Sequence, residues 1–204
     1  MNTKKIRIFR TLRACAVMLA ALLAAACASS PEKPGILKRT MQSIGLQDAQ
    51  QAGNREIDLH LHAGDNLNAG AGVRPNAVVI QVYHLRGTQR FEQARFDTFL
   101  DQSLVTQALG DDLIASDEIV LAPGTRQTQV EGVSADTVAI GVVALFQAPA
   151  SNRWKLAFDA RHIEPAQKGI TIGVHACAVT TASAALMTRL ASDASSLVSV
   201  RCGK

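Results

Sequence analysis

In Arg55-Glu56-Ile57-Asp58-Leu59-His60-Leu61-His62-Ala63 the side chains alternate between polar and apolar from Glu56 onward. Successive side chains on a strand point to opposite faces, so a period of two describes a strand with one dry and one wet face. Ile57, Leu59, Leu61 and Ala63 form the dry set, and Glu56, Asp58, His60 and His62 the wet one. The next periodic stretch, Asn76–Leu85 (NAVVIQVYHL), is almost continuously apolar, as for a central strand covered on both faces.

Downstream, strand patterning returns at Glu118–Leu121 and Thr125–Val130, with Pro123-Gly124 as the turn between them. It returns again at Thr137–Phe146 (TVAIGVVALF), where Gly141 marks a bulge or a close approach, then at Trp154–Phe158 and Gly169–Val179. Gln89–Leu109 breaks the pattern. The spacing of Phe91, Phe99, Leu104, Val105 and Leu109 predicts one or two short helices, a helical insertion over about 89–110 that ends near Gly110. About seven short strands and one helical insertion predict an all-β fold, an antiparallel β-sandwich occupying residues 55–204. The tail from Thr180 reads either as helix at Ala184–Leu190 or as strand at Leu197–Cys202. There is no internal repeat.

Upstream lies a leader. Lys4, Lys5, Arg7, Arg10 and Arg13 form a basic n-region, and Ala14–Ala26 is apolar throughout. That run is shorter than the roughly 20 residues a membrane-spanning helix needs, but it suits a secretory h-region. It ends in Leu22-Leu23-Ala24-Ala25-Ala26-Cys27, small residues before a cysteine, which marks 1–26 as a lipoprotein signal peptide and Cys27 as the acylated residue. Ala24 stands where a lipobox usually has Leu. Cys15 is a poor rival, with Arg13 two residues before it. Ala28 rather than Asp in the second mature position leaves such a lipoprotein free to be sorted to the outer membrane. Residues 27–54 then read as lipidated N-terminus and tether, with a helical turn around Arg39–Leu46.

The charge of +4 belongs to the leader: its removal takes five of the 21 Lys and Arg and none of the 17 acids, leaving 16 against 17. A near-neutral mature chain argues against nucleic-acid or anionic-membrane binding through net charge. Of the four cysteines, Cys177 and Cys202 remain after Cys15 and Cys27 are set aside. In an oxidising compartment they read as a disulfide, with two separate buried thiols as the competing reading.

Catalytic signals are weak. Asp58-Leu59-His60-Leu61-His62 puts two histidines on one strand face, where both could ligate a metal, so a ligand- or metal-binding lipoprotein using His60 and His62 is the alternative reading. A metal-dependent amidohydrolase opens in this way, but on a barrel of about 250 residues, and His84, His162 and His175 show no ligand-like spacing. Gly70 and Gly72 lack the spacing of a nucleotide loop, and Asp111-Asp112 suits a turn. Trp154 and Tyr83, each the sole residue of its kind, read as core. No enzyme, cofactor or metal site is expected.

The stretch after the first strand differs. Asp65-Asn66-Leu67-Asn68-Ala69-Gly70-Ala71-Gly72-Val73-Arg74-Pro75 is too long for a tight hairpin and consists of turn-formers. Loops of that length serve function or stay disordered. With Leu67 as its one large apolar side chain, it reads as a protruding finger that anchors a protein interface.

In order along the chain, the lipobox, the tether, Asp65-Asn66-Leu67-Asn68 and Arg74-Pro75-Asn76 running into Val78–Leu85 resemble the TssJ (SciN/VasD) lipoproteins of type VI secretion systems. The similarity continues through Phe91-Glu92-Gln93-Ala94-Arg95-Phe96, Asp117–Gly124, Ile140–Phe146 and Arg153-Trp154. Ala69 stands where many members have Pro, and the segment carrying Cys202 runs past the family's usual last strand. The resemblance implies a transthyretin-like β-sandwich on an outer-membrane lipoprotein without catalysis. It further implies that loop 65–75 holds the periplasmic C-terminal domain of TssM, and through it TssL. Replacing Cys27 (Cys27→Ser) is expected to leave the domain folded but shift it from the membrane to the soluble periplasmic fraction, read by fractionation and palmitate labelling.

Overall fold

The alternating segment is β1 (Asn54–Ala63), and it lies in the middle of its sheet. The computed structural model describes residues 54–72, 74–163 and 169–203. The signal peptide, Cys27, the tether up to residue 53 and Val73 lie outside the described residues. The other strands are β2 (Val78–Leu85), β3 (Leu113–Leu121), β4 (Arg126–Ser134), β5 (Ala139–Ala144), β6 (Lys155–Asp159), β7 (Ile170–Val174) and β8 (Val179–Thr180). They form two four-stranded sheets, ordered β4-β1-β7-β8 and β3-β2-β5-β6.

The dry face of β1 is Ile57, Leu59 and Leu61, all buried, while His62 on the other face is exposed. Ile170 and Ile172 of β7 share one apolar cluster with Ile80, Val82, Ile140, Val142, Leu156 and Phe158 of the second sheet, so the two sheets enclose a common core. One pairing departs from an antiparallel sandwich: β1 and β7 run parallel, from Leu59 opposite Ile170 to Ala63 opposite Val174. No hairpin links these two strands, so nothing obliges them to run in opposite directions. The stretch expected as one strand from Gly169 to Val179 turns back on itself, with His175 N–H donating to the Ala178 carbonyl at 2.9 Å.

The second sheet is covered on its other face by the helical insertion, which explains the unbroken burial of β2 from Ile80 to Leu85. The insertion comprises α1 (Gln89–Gln93), a 3-10 turn (Phe96–Leu100), α2 (Gln102–Leu109) and a second 3-10 turn (Gly110–Asp112). Asp101 caps α2, its carboxylate accepting from the Ser103 and Leu104 N–H groups. Tyr83, Phe91 and Phe99 pack as tilted and edge-on rings 5.6–6.1 Å apart. Gly141 is the seat for Phe91: a Cβ there would lie 2.8 Å from the ring.

Lys155 is charged yet buried, 8 % exposed. Its Nζ donates to the carbonyls of Phe91, Glu92 and Ala94 at 2.6–2.8 Å, the acceptors left over where α1 ends. The same ammonium lies 5.0–5.9 Å from the ring centres of Trp154, Phe91 and Phe99. All of residues 154–158 are buried, and Trp154 as well as Lys155 packs against the insertion, through Phe96 and Phe99.

The tail is neither helix nor regular strand, because its backbone is committed to the edge of β6. Asp159 N–H donates to the Ala185 carbonyl and Met187 N–H to that of Ala157, both at 2.8 Å, and Phe158 bridges to Leu186. An edge covered this way is closed to other chains. The Arg153 guanidinium fixes the following stretch by donating to the carbonyls of Asp193, Ala194 and Ser196.

Burial pulls the Lys155 ammonium down to about 8, with Glu92 opposing. An unfolded lysine holds its proton to about 10.4. Between those values the unfolded chain binds the extra proton, so raising the pH favours the folded state. Above about 10 the effect is opposed by Tyr83, which burial first and Glu118 second push above the ordinary phenol range, so the unfolded tyrosine ionises before the folded one. Urea unfolding at about pH 7.5 and about pH 9.5 should therefore show higher stability at the upper value. Lys155→Met should abolish that rise and lower stability by about 2 kcal/mol at the lower value, since three carbonyls lose their donor.

Candidate functional site: the loop between the first two strands

β1 ends at Ala63, and the chain continues along the path of β7 rather than leaving the surface. Gly64 N–H donates to the Val174 carbonyl at 2.8 Å, Asn68 N–H to that of His175 at 3.0 Å and Gly70 N–H to that of Ala176 at 2.9 Å. A turn closes inside the loop through Leu67 N–H to Gly64 O at 3.1 Å, and Asn76 N–H returns to Leu67 O at 2.9 Å. Asn68 occupies the left-handed region (φ 53°), which asparagine tolerates better than most residues. Its side chain donates to the Ala77 carbonyl at 2.9 Å and accepts from Gln147 N–H at 2.8 Å.

These bonds overturn the finger reading at its centre. Leu67 is fully buried and belongs to the inter-sheet core, and Asn68 is 3 % exposed. Neither can anchor a partner. Composition gives a leucine between two asparagines but not its direction, and here Asn68 turns inward and takes Leu67 with it. The rigidity that a proline would supply at Ala69 comes from the backbone bonds on either side.

What the loop presents is the remainder: Asp65, Asn66, Ala71, Gly72, Arg74 and Pro75 are exposed, and Ala69 and Gly70 half-buried. Beside them Cys177 and Cys202 are joined, with sulfurs 2.10 Å and Cα atoms 5.4 Å apart. Cys202 Sγ lies 3.1 Å from the Gly70 carbonyl oxygen. A shallow groove of about 150 Å³ runs between Asn66, His175–Ala178, Leu197, Val200 and Cys202. Leu197 at 38 % and Val198 at 88 % exposure leave apolar surface on the tail that the sequence reading did not connect with the loop. The only signal for that connection was the cysteine pair.

The other candidates do not converge. His60 Nδ1 lies 2.9 Å from Thr128 Oγ1 on the outer face of the first sheet. His62 lines a groove of about 600 Å³ with Thr171, Gly173, Thr180 and Thr181. Asp58, His60 and His62 form no three-ligand set among the described residues. His162 pairs with Asp159 at 2.8 Å, and Asp112 with Arg90 at 3.7 Å, both at the surface. His175, held below the ordinary imidazole range by burial and then by Arg153, lies 3.0 Å from Thr180 Oγ1.

Residues 55–177, the span from β1 through the loop to Cys177, match the family model of the type VI secretion lipoproteins (VasD, EvfM, TssJ). The chain belongs to this lipoprotein family. Among solved structures it is similar to a chain of a type VI membrane complex, at 23 % identity and a TM-score of 0.56, covering 63 % of this chain and 98 % of that one. It is also similar to Lip of Serratia marcescens, a membrane-bound component of the type VI secretion system, at 22 % identity, TM-score 0.55 and coverage of 63 % and 97 %. A third likeness is to a chain in the structure of the TssM C-terminal domain from EAEC, at 24 % identity, TM-score 0.53 and coverage of 66 % and 98 %. No match was found among curated proteins. At these identities the structures establish the shared fold of the type VI secretion lipoproteins, and the family match ends where the tail begins.

Leu67→Ala should lower stability by about 2–5 kcal/mol, as for a leucine removed from a core. Arg74→Ala, at an exposed position, should change it by less than about 0.5 kcal/mol. Paired denaturant melts check both.

Proposed function

We propose that this type VI secretion lipoprotein is a non-catalytic adaptor, lipidated at Cys27, held in the outer membrane and facing the periplasm. Its exposed loop residues bind the periplasmic C-terminal domain of TssM, and through it the protein reaches TssL. The observation that carries this reading is the loop that follows β1, held in place by backbone bonds from Gly64, Asn68 and Gly70 to the carbonyls of Val174, His175 and Ala176 at the end of β7, with Asp65, Asn66, Ala71, Gly72, Arg74 and Pro75 exposed. A surface held in one conformation binds without first losing the entropy of a mobile loop. The similarity to a chain in a TssM C-terminal-domain structure supports the choice of partner.

The contact set is Asp65, Asn66, Ala69–Pro75 and the neighbouring apolar tail residues, with Leu67 and Asn68 holding the set from below. Removing the whole stretch would delete a core side chain, so single exposed substitutions are the proper test. Ala71→Glu and Arg74→Glu, introduced into the mature chain carrying Cys27→Ser, should each weaken binding to the purified TssM domain by about tenfold or more, as for an unfavourable charge at an interface centre. Their melting temperatures should match the parent. Unchanged affinity in both, measured by calorimetry, would remove the loop from the interface.

A further inference from the structure

At the β3 and β4 edges of the two sheets, side chains from three strands come together. His84 stands on β2 where the β2–β3 register shifts, Asp117 on β3 and Glu131 on β4. His84 Nε2 is 3.2 Å from Glu131 Oε2, and their side chains are 6 % and 4 % exposed. One ligand atom from each of the three lies within 4.8 Å of the others. Asp117 is exposed and forms the outer wall.

A carboxylate this deeply buried needs all its acceptors satisfied. Glu131 uses one oxygen on His84, while Oε1 is buried and has no hydrogen-bond partner among the described residues. The burial and the orphaned oxygen are independent of the clustering, and both point to a missing positive group. Ligands bonded to a zinc ion at about 2.0–2.1 Å in tetrahedral array lie about 3.3 Å from one another, close to the separation of His84 and Glu131. Asp117 is the exposed member of the set, at its rim.

We infer that His84, Asp117 and Glu131 form a zinc-class divalent metal site that bridges the two sheets, a function separate from partner binding at loop 65–75. One imidazole nitrogen and two carboxylates suit zinc or a neighbouring transition ion rather than calcium or magnesium, which take oxygen ligands in larger number. Three protein ligands with an opening beside Asp117 leave the fourth position to water. The ion would fasten β3 to β4, the edge strands of the two sheets, which follow one another through the Pro123-Gly124 turn. Sequence spacing hid the site because its members are 33 and 14 residues apart along the chain.

The test uses the mature Cys27→Ser protein stripped with chelator and titrated with zinc by calorimetry, with cobalt absorption as a spectroscopic check. One equivalent of zinc should bind and raise the melting temperature, and EDTA should reverse the rise. Asp117→Asn, at an exposed position, should leave metal-free melting unchanged and weaken zinc binding about tenfold or more. Double substitution His60→Ala and His62→Ala should leave uptake intact. Absence of stoichiometric uptake by the parent overturns the site, as does a loss under tenfold in Asp117→Asn or loss of uptake in the His60/His62 variant.

Discussion

The parallel ladder between β1 and β7 is the constraint on which the rest of the molecule depends. It joins the first strand of the domain to the last long one, and Leu59, Leu61, Ile170 and Ile172 bring their side chains into the core from one sheet. The ladder does not stop at Ala63. The bonds from Gly64, Asn68 and Gly70 to the carbonyls of Val174, His175 and Ala176 continue the same pairing into a segment with no strand character. Loop 64–75 is thus held by the sheet it leaves, and the Cys177–Cys202 bridge fixes the far side of the segment that receives it.

Much of this was legible in the residues. The alternation at 56–63 and the apolar run at 78–85 marked a strand with one wet face and a strand with none, and the structure places a second layer over the latter. Gly141 was readable as a close approach, and the approaching group is the Phe91 ring. The failures share one cause: a pattern reports which residues face alike but not what covers them. The strand pattern at 154–158 does not reveal that Lys155 is buried, where three orphaned helix carbonyls and three aromatic rings accommodate its ammonium. Leu67 looked like an exposed anchor because its neighbours are polar, yet Asn68 uses its side chain inward. The tail resisted assignment since its conformation is dictated by the β6 edge and the Arg153 guanidinium, partners 25 to 45 residues away.

The candidate site shows the same division. Its position and length could be read from the composition of 64–75, and the ordered motifs pointed to the type VI secretion lipoproteins. Which of its residues are available to a partner required the backbone bonds. The outward set proves to be small and polar, with apolar surface contributed by Leu197 and Val198 beyond the segment matched to the family.

The placement of the loop at one end of β1 bears on load. The chain from Cys27 enters β1 at Asn54, and the loop departs after Ala63 at its other end. In the adaptor proposed above, a lipid on Cys27 and a partner on the loop would pull on opposite ends of a single ten-residue strand, about 33 Å long when extended. That tension would run through covalent backbone rather than across a row of hydrogen bonds, with β4 and β7 paired to the strand on either side. In mechanical terms, β1 is a tie rod, and the sandwich is the housing that keeps it straight.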